Sequence, residues 1–183
     1  MLTGYVYNKS KKNSYIDNLR KRVKELERVG SVKIGYFEEQ GLYVSPRPVK
    51  TTYKITYPQL AAVQFGGSLK NNIPARPILD ITIALYPVNR NKNINKVLNR
   101  YLSNLSNKTP LITASQVFEY IGEDYVEKAR GLFGSSYLDA LQPSTIESKT
   151  RMGAPYTTSP LLEWGTLRAG MSMKVNGVVI TPK

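Results

Sequence analysis

The side chains that could do chemistry here are carboxylates, lysines and tyrosines, because the chain contains no His and no Cys. That composition removes a Ser-His-Asp triad, an imidazole base, a thiolate nucleophile, disulfides and His- or Cys-ligated zinc. Among the acids, Glu38-Glu39 and Glu123-Asp124 are adjacent pairs. Neighbours in sequence rarely converge on one ligand, so we read them as a solvated turn and a solvated helix face. No two acids are marked out as a glycosidase pair. The glycines of Gly131-Leu-Phe-Gly134-Ser-Ser follow a helical pattern and lack the lysine of a phosphate-binding loop. We therefore expect no enzyme, no metal site and no cofactor.

What remains is binding by surface. The net charge is +13, and it is unevenly spread. Residues 1–30 carry eight Lys/Arg against three acids, residues 31–108 eleven against three, and residues 109–183 seven of each. A half-basic chain fits either a polyanionic neighbour or a solubility surface. Lys9, Lys11, Lys12, Arg20, Lys21 and Lys24 are the basic candidates for facing a partner. Cations also interleave with aromatics at Tyr5, Tyr7, Tyr15 and again around Arg47, Lys50, Tyr53, Lys54 and Tyr57. Such platforms bind single strands. Tyr53 and Tyr57, however, alternate onto one face with Ile55, which points to packing.

The elements that must position these residues are legible as patterns. Ile16, Leu19, Val23 and Leu26 form one stripe of a helix over 13–29, closed by Gly30. Residues 31–37 read as a strand, 42–45 as a second short strand, and the alternation over 51–57 as a third. Pro58 begins a short helix ended by Gly66-Gly67, and Pro77 begins another over 78–85. Helices follow over 93–105 and 113–133, the latter with Glu119, Glu123 and Glu127 on its outer side. The pattern over 135–142 allows an extension of that helix, and 143–159 read as a loop containing a turn of helix. Asn176-Gly177 joins the last two strands as a type I′ hairpin turn. The expectation is one α+β domain over 1–183. It has a small, mostly antiparallel sheet packed by several helices, a C-terminal β-hairpin and a basic N-terminal arm over 1–12. No apolar run is long enough for a membrane span, and the N-terminus has no secretory pattern, so we expect cytoplasmic synthesis.

Three segments carry a resemblance. Ala61-Ala-Val-Gln-Phe65-Gly66-Gly67 is similar to a short helix ending His-Glu-Phe-Gly-Thr. Ile73-Pro74-Ala75-Arg76-Pro77-Ile78-Leu79 is similar to an I-P-x-R-P-F-L signature. Pro160-Leu161-Leu162-Glu163-Trp164-Gly165-Thr166-Leu167 is similar to P-L-x-x-T-G-x-L, and a Ser144-Thr145…Lys149 stretch precedes it. In this order they resemble the neck or tail-completion proteins of tailed bacteriophages, also called virion morphogenesis or head–tail connector proteins. Gln64 and Trp164 stand where that family has an acid and a Thr.

The resemblance implies a structural virion protein at the head–tail neck, assembled in the host cytoplasm as a homo-oligomeric ring, often sixfold. Its partners would be head-completion or connector proteins and tail terminator, tube or sheath proteins, with channel DNA as a non-specific contact. The motif residues Phe65, Gly66, Pro74, Arg76, Pro77, Leu79, Leu161, Trp164, Gly165 and Leu167 are its candidate interface positions. Prolines on both sides of Ala75-Arg76 hold Arg76 in a rigid corner, ready for a carboxylate of a neighbouring subunit or for a tie within its own chain. Trp164 is a core or an interface anchor, and Gly66 and Gly165 supply positive φ. The alternative is a nucleic-acid-binding module using the basic N-terminal half.

Overall fold

Thr113 and Gln116 start the helix on which the molecule is assembled. The Thr113 hydroxyl accepts the Gln116 amide at 3.2 Å and the Gln116 side chain accepts the Thr113 amide at 2.8 Å, a reciprocal cap. The computed structural model describes residues 9–44, 54–68, 73–103, 105, 110–162 and 164–182, with residues 9–13 described by their backbone alone.

In chain order the described elements are α1 (Lys9–Val29), β1 (Val32–Gly35), a 3-10 turn (Glu38–Gln40), α2 (Tyr57–Gly66) and α3 (Ile78–Leu85). A second 3-10 turn (Val88–Arg90) leads into α4 (Lys92–Leu102) and α5 (Ala114–Leu132). The chain closes through α6 (Pro143–Arg151), α7 (Thr166–Gly170), β2 (Ser172–Val175) and β3 (Val178–Ile180). The fold is α+β. Its sheet is antiparallel throughout, in the order β1-β2-β3, and helices pack against it. None of the described helices is long and apolar enough to cross a membrane.

The sheet joins the two ends of the chain. Val32 pairs with Val175 and Gly35 with Ser172, while Met173 pairs with Ile180 across the hairpin. Asn176 (φ 50) and Gly177 (φ 79) both take positive φ, as a type I′ turn demands. Helix α5 crosses this sheet at Gly122, where an added Cβ would sit 2.3 Å from Met173 Sδ and 2.9 Å from a Val32 methyl. The same helix runs through both hydrophobic clusters. Val126, Ala129 and Leu132 pack with Ile78, Leu138, Met171 and Met173. Ala114 and Val117 pack with Tyr101 and Ile112, roofed by Leu26 and Val29 of α1.

Several local expectations change. Helix α1 starts at Lys9, so Lys9, Lys11 and Lys12 belong to its first turns, and an arm over 1–12 is confined at most to residues 1–8, which lie outside the described residues. Its buried face is also rotated from the stripe read in sequence. Ile16 and Val23 are 37% and 41% exposed, whereas Arg22 is 2% exposed. Arg22 Nη1 donates to the carbonyls of Tyr101 and Ser103, both at 2.7 Å, satisfying groups at the end of α4 that have no helical partner. The single hydroxyl proton of Tyr101 is shared between the Arg22 carbonyl and the Glu25 carboxylate, at 3.1 and 3.0 Å. Burial, followed by the Glu25 hydrogen bond, pushes the Tyr101 phenol up to about 12, so it remains a donor.

The alternation over 51–57 does not yield a strand among the described residues. Thr51–Tyr53 lie outside them, and Leu42 and Thr56 form one isolated bridge. Thr56 instead caps α2 reciprocally with Gln59, and Pro58 in the first turn fixes helical φ. Ser45 also lies outside the described residues, so the strand expected over 42–45 reduces to that bridge. Residues 135–142 form turns after α5, and α6 occupies more than a turn of the segment read as loop.

Candidate interaction site

The first two motif segments are neighbours in the chain, and the third, from its far end, joins them in one hydrophobic cluster. Phe65 at the end of α2 accepts the Arg76 amide through its carbonyl at 2.9 Å, and Ser68 pairs with Ile73 in both directions. Gly67 (φ 71) ends α2 beside the second segment. A Cβ there would lie 2.7 Å from the Ala75 nitrogen and the Ile73 oxygen. Gly66 is the last residue of α2 and is not in the left-handed region, so positive φ falls on Gly67, not Gly66. The Phe65 ring closes an aromatic row, with centroids 5.9 Å from Tyr36 and 6.2 Å from Phe133. Tyr57 stacks on Tyr36 at 6.1 Å and meets Tyr43 edge-on at 5.4 Å, which is packing.

Arg76 is 6% exposed. Its Nη2 reaches the Asp139 carbonyl at 3.5 Å, a tie within its own chain and to a backbone oxygen instead of a carboxylate. Burial draws the guanidinium below its ordinary range, and the Asp139 carboxylate offsets part of that shift. Pro74 and Pro77 are exposed, while Leu79 is half-buried against the core.

The third motif is held from α6. Lys149 is 8% exposed, and its Nζ donates to the carbonyls of Leu162, Ser159 and Tyr156 at 2.8, 2.9 and 3.3 Å. Those bonds fix a loop that contains Leu161 at φ 59, a conformation that costs an L-residue about 1–2 kcal/mol. Leu161 and Leu162 then pack on the main core, Gly165 takes φ 75 as the N-cap of α7, and Leu167 is buried. Trp164 is half-buried.

Helix α7 is short, and side chains take up its carbonyls. Tyr36 donates to Leu167 at 2.6 Å, Gln40 to Gly170 at 2.6 Å, and Arg130 Nη2 to Ala169 and Met171 at 2.9 and 3.0 Å. Burial pushes the Tyr36 phenol well above its ordinary value, so it stays protonated and donating.

Phe65, Arg76, Leu79, Leu161 and Leu167 thus face the interior, Gly66, Pro74 and Pro77 are exposed, and the outward faces of α1 and α5 are charged. Arg20, Lys21, Lys24 and Arg28 project from α1, all exposed, with Arg20 3.8 Å from Asp17. The side chains of Lys9, Lys11 and Lys12 lie outside the described residues. On α5, Glu123 and Glu127 are exposed and Glu119 is half-buried. Ile83 and Val88 add exposed apolar surface beside a cleft of about 320 Å³ walled by Leu85, Tyr86, Pro87, Arg90, Lys92 and Lys128. Among the described residues, no three acids are grouped so as to hold a metal ion.

One polar network at that edge went unforeseen in sequence. Asp124 accepts from Asn91 at 2.7 Å, from Asn93 at 2.6 Å and from Lys128. Burial raises its carboxyl, but the bonds from Lys128, Asn93 and Asn91 outweigh that and hold it below the usual carboxylate range. A depressed folded value contributes stability that is present above the unfolded pKa of about 3.9 and is lost as pH falls through the folded one. Asp124→Asn is expected to cost about 1–3 kcal/mol at neutral pH. In urea melts the gap between variant and wild type should close below about pH 4; a gap independent of pH would count against the network.

Compared with protein-family models, curated proteins and solved structures, the chain matches none.

Proposed function

We propose that this chain is a structural subunit of a tailed bacteriophage virion, a ring-forming neck or tail-completion protein joining the head connector to the tail. The observation that carries the reading is the meeting of the three motif segments. Phe65, Leu79, Leu161 and Leu167 share one hydrophobic cluster, and the Arg76 amide is bonded to Phe65. Residues that resemble the neck family are therefore those that set the shape of this subunit. A shape held by an interior of this kind, with charged and apolar surface outside, suits function by complementary contact rather than by chemistry. In this role its neighbours are copies of itself, the head-completion or connector ring, and tail terminator, tube or sheath proteins. A second reading, a nucleic-acid-binding module, draws on the exposed basic residues of α1.

Immunogold electron microscopy of intact virions tests the proposal. Label is expected at the head–tail junction. Label restricted to the capsid shell or fibres, or absent from finished particles, would overturn it.

A further inference from the structure

Two helices carry rows of opposite charge at the same period. Arg20, Lys24 and Arg28 recur every four residues along α1, and Glu119, Glu123 and Glu127 recur every four along α5. At 1.5 Å per residue, each row places a charge about every 6 Å along its helix axis. Lys24, Arg28, Glu119, Glu123 and Glu127 make no ion pair with any described residue. Within one chain the rows cannot meet, because α1 packs its Leu26–Val29 face toward α5 and turns the basic row away.

We infer that the basic row of α1 in one copy docks on the acidic row of α5 in the next. The ridges match in spacing and are opposite in sign. Each is flanked by exposed apolar side chains, Ile16 and Val23 on α1 and the 45% exposed Tyr120 on α5. Those neighbours matter because exposed ion pairs alone contribute about 0–1 kcal/mol each, so the charges set register and orientation while apolar contact supplies adhesion. Such a contact closes as a twofold pair, each copy giving both rows to the other, or runs head-to-tail into a ring or filament. Only the choice of a closed ring rests on the neck reading. Nucleic acid is the weaker occupant: Asp17 and Glu27 interrupt the outer face of α1, and the α5 row would repel phosphate.

Sedimentation velocity on the full chain tests the pairing with two double variants, Lys24→Glu/Arg28→Glu and Glu123→Lys/Glu127→Lys, all at exposed positions. Circular dichroism checks that both are folded. Wild type is expected to self-associate, less so as salt rises. Each double variant should associate at least about tenfold more weakly, and mixing the two should restore assembly, since one then carries two basic rows and the other two acidic rows. Wild-type oligomers indifferent to both variants would overturn the pairing and leave the neck reading standing. A wild type that stays monomeric, yet binds duplex DNA through Lys24 and Arg28, would overturn it in favour of nucleic acid. Gold label away from the neck would end the neck reading without altering a successful mixing result.

Discussion

Lys149→Met is expected to destabilise the chain by about 3–5 kcal/mol, and to lower Tm by roughly 10 °C for a chain of this size. The ammonium group sits at the centre of three carbonyls, those of Tyr156, Ser159 and Leu162. Methionine keeps the length and apolar stem of the side chain but offers no donor, so those oxygens would face a dry site unpaired. The loss extends past the hydrogen bonds. Leu161 is kept at positive φ by the loop that Lys149 closes, and Leu161 and Leu162 contribute to the same core as Phe65 and Leu79. Freeing the loop releases the strain and also withdraws apolar surface from that core. Arginine should recover only part of the loss, because a planar guanidinium cannot direct its donors at three convergent oxygens as an ammonium does. Urea unfolding by linear extrapolation measures the effect. A cost below about 1 kcal/mol would mean that the loop is held by something else.

Adjacent glycines should respond with opposite signs. Gly67→Ala is expected to cost about 3 kcal/mol or more. Gly67 has φ 71 and ψ −175, a region of backbone space that is nearly reserved for glycine. Its missing Cβ would also press on backbone atoms of Ile73 and Ala75, which no rotamer change can move aside. Gly66→Ala should be neutral or stabilising by up to about 0.5 kcal/mol, because Gly66 is helical and a Cβ there meets nothing within 4 Å. Thermal unfolding of the two variants side by side checks the contrast. Equal effects would contradict the close approach of the α2 end to the Ile73–Ala75 strand-like segment. Since that approach joins the first two motifs, Gly67→Ala should also release the Arg76 amide from the Phe65 carbonyl.

The candidate site was partly legible before the fold was known. The motif segments could be picked out because Pro and Gly punctuate them, and both residue types have backbone preferences that local sequence reveals. Their meeting could not, since nothing in Ala61–Gly67 specifies contact with Pro160–Leu167. Arg22 shows the same limit. Leu19, Arg22, Leu26 and Val29 share the three-four-three spacing of the apolar stripe, so the signal was present, but an arginine at such a position is buried only if carbonyls await it. Here those of Tyr101 and Ser103 do. Lys149 stands in a motif by its sequence, while its role depends on three oxygens brought together by a loop from the following segment.

By itself, the sequence determined the pieces whose energetics close over a few residues. These are α3 after Pro77, α5 from the Thr113–Gln116 cap, and the hairpin at Asn176-Gly177, because caps, ring constraints and turn conformations act between neighbours. It also determined the chemistry that is missing, since without His or Cys no fold can supply an imidazole or a thiolate. Only the tertiary structure decided that β1 pairs with β2 from the far end of the chain, and that Arg22 and Lys149 lie inside. Each of those outcomes depends on groups distant in sequence satisfying one another's hydrogen bonds and sharing buried surface, which no local window of residues contains.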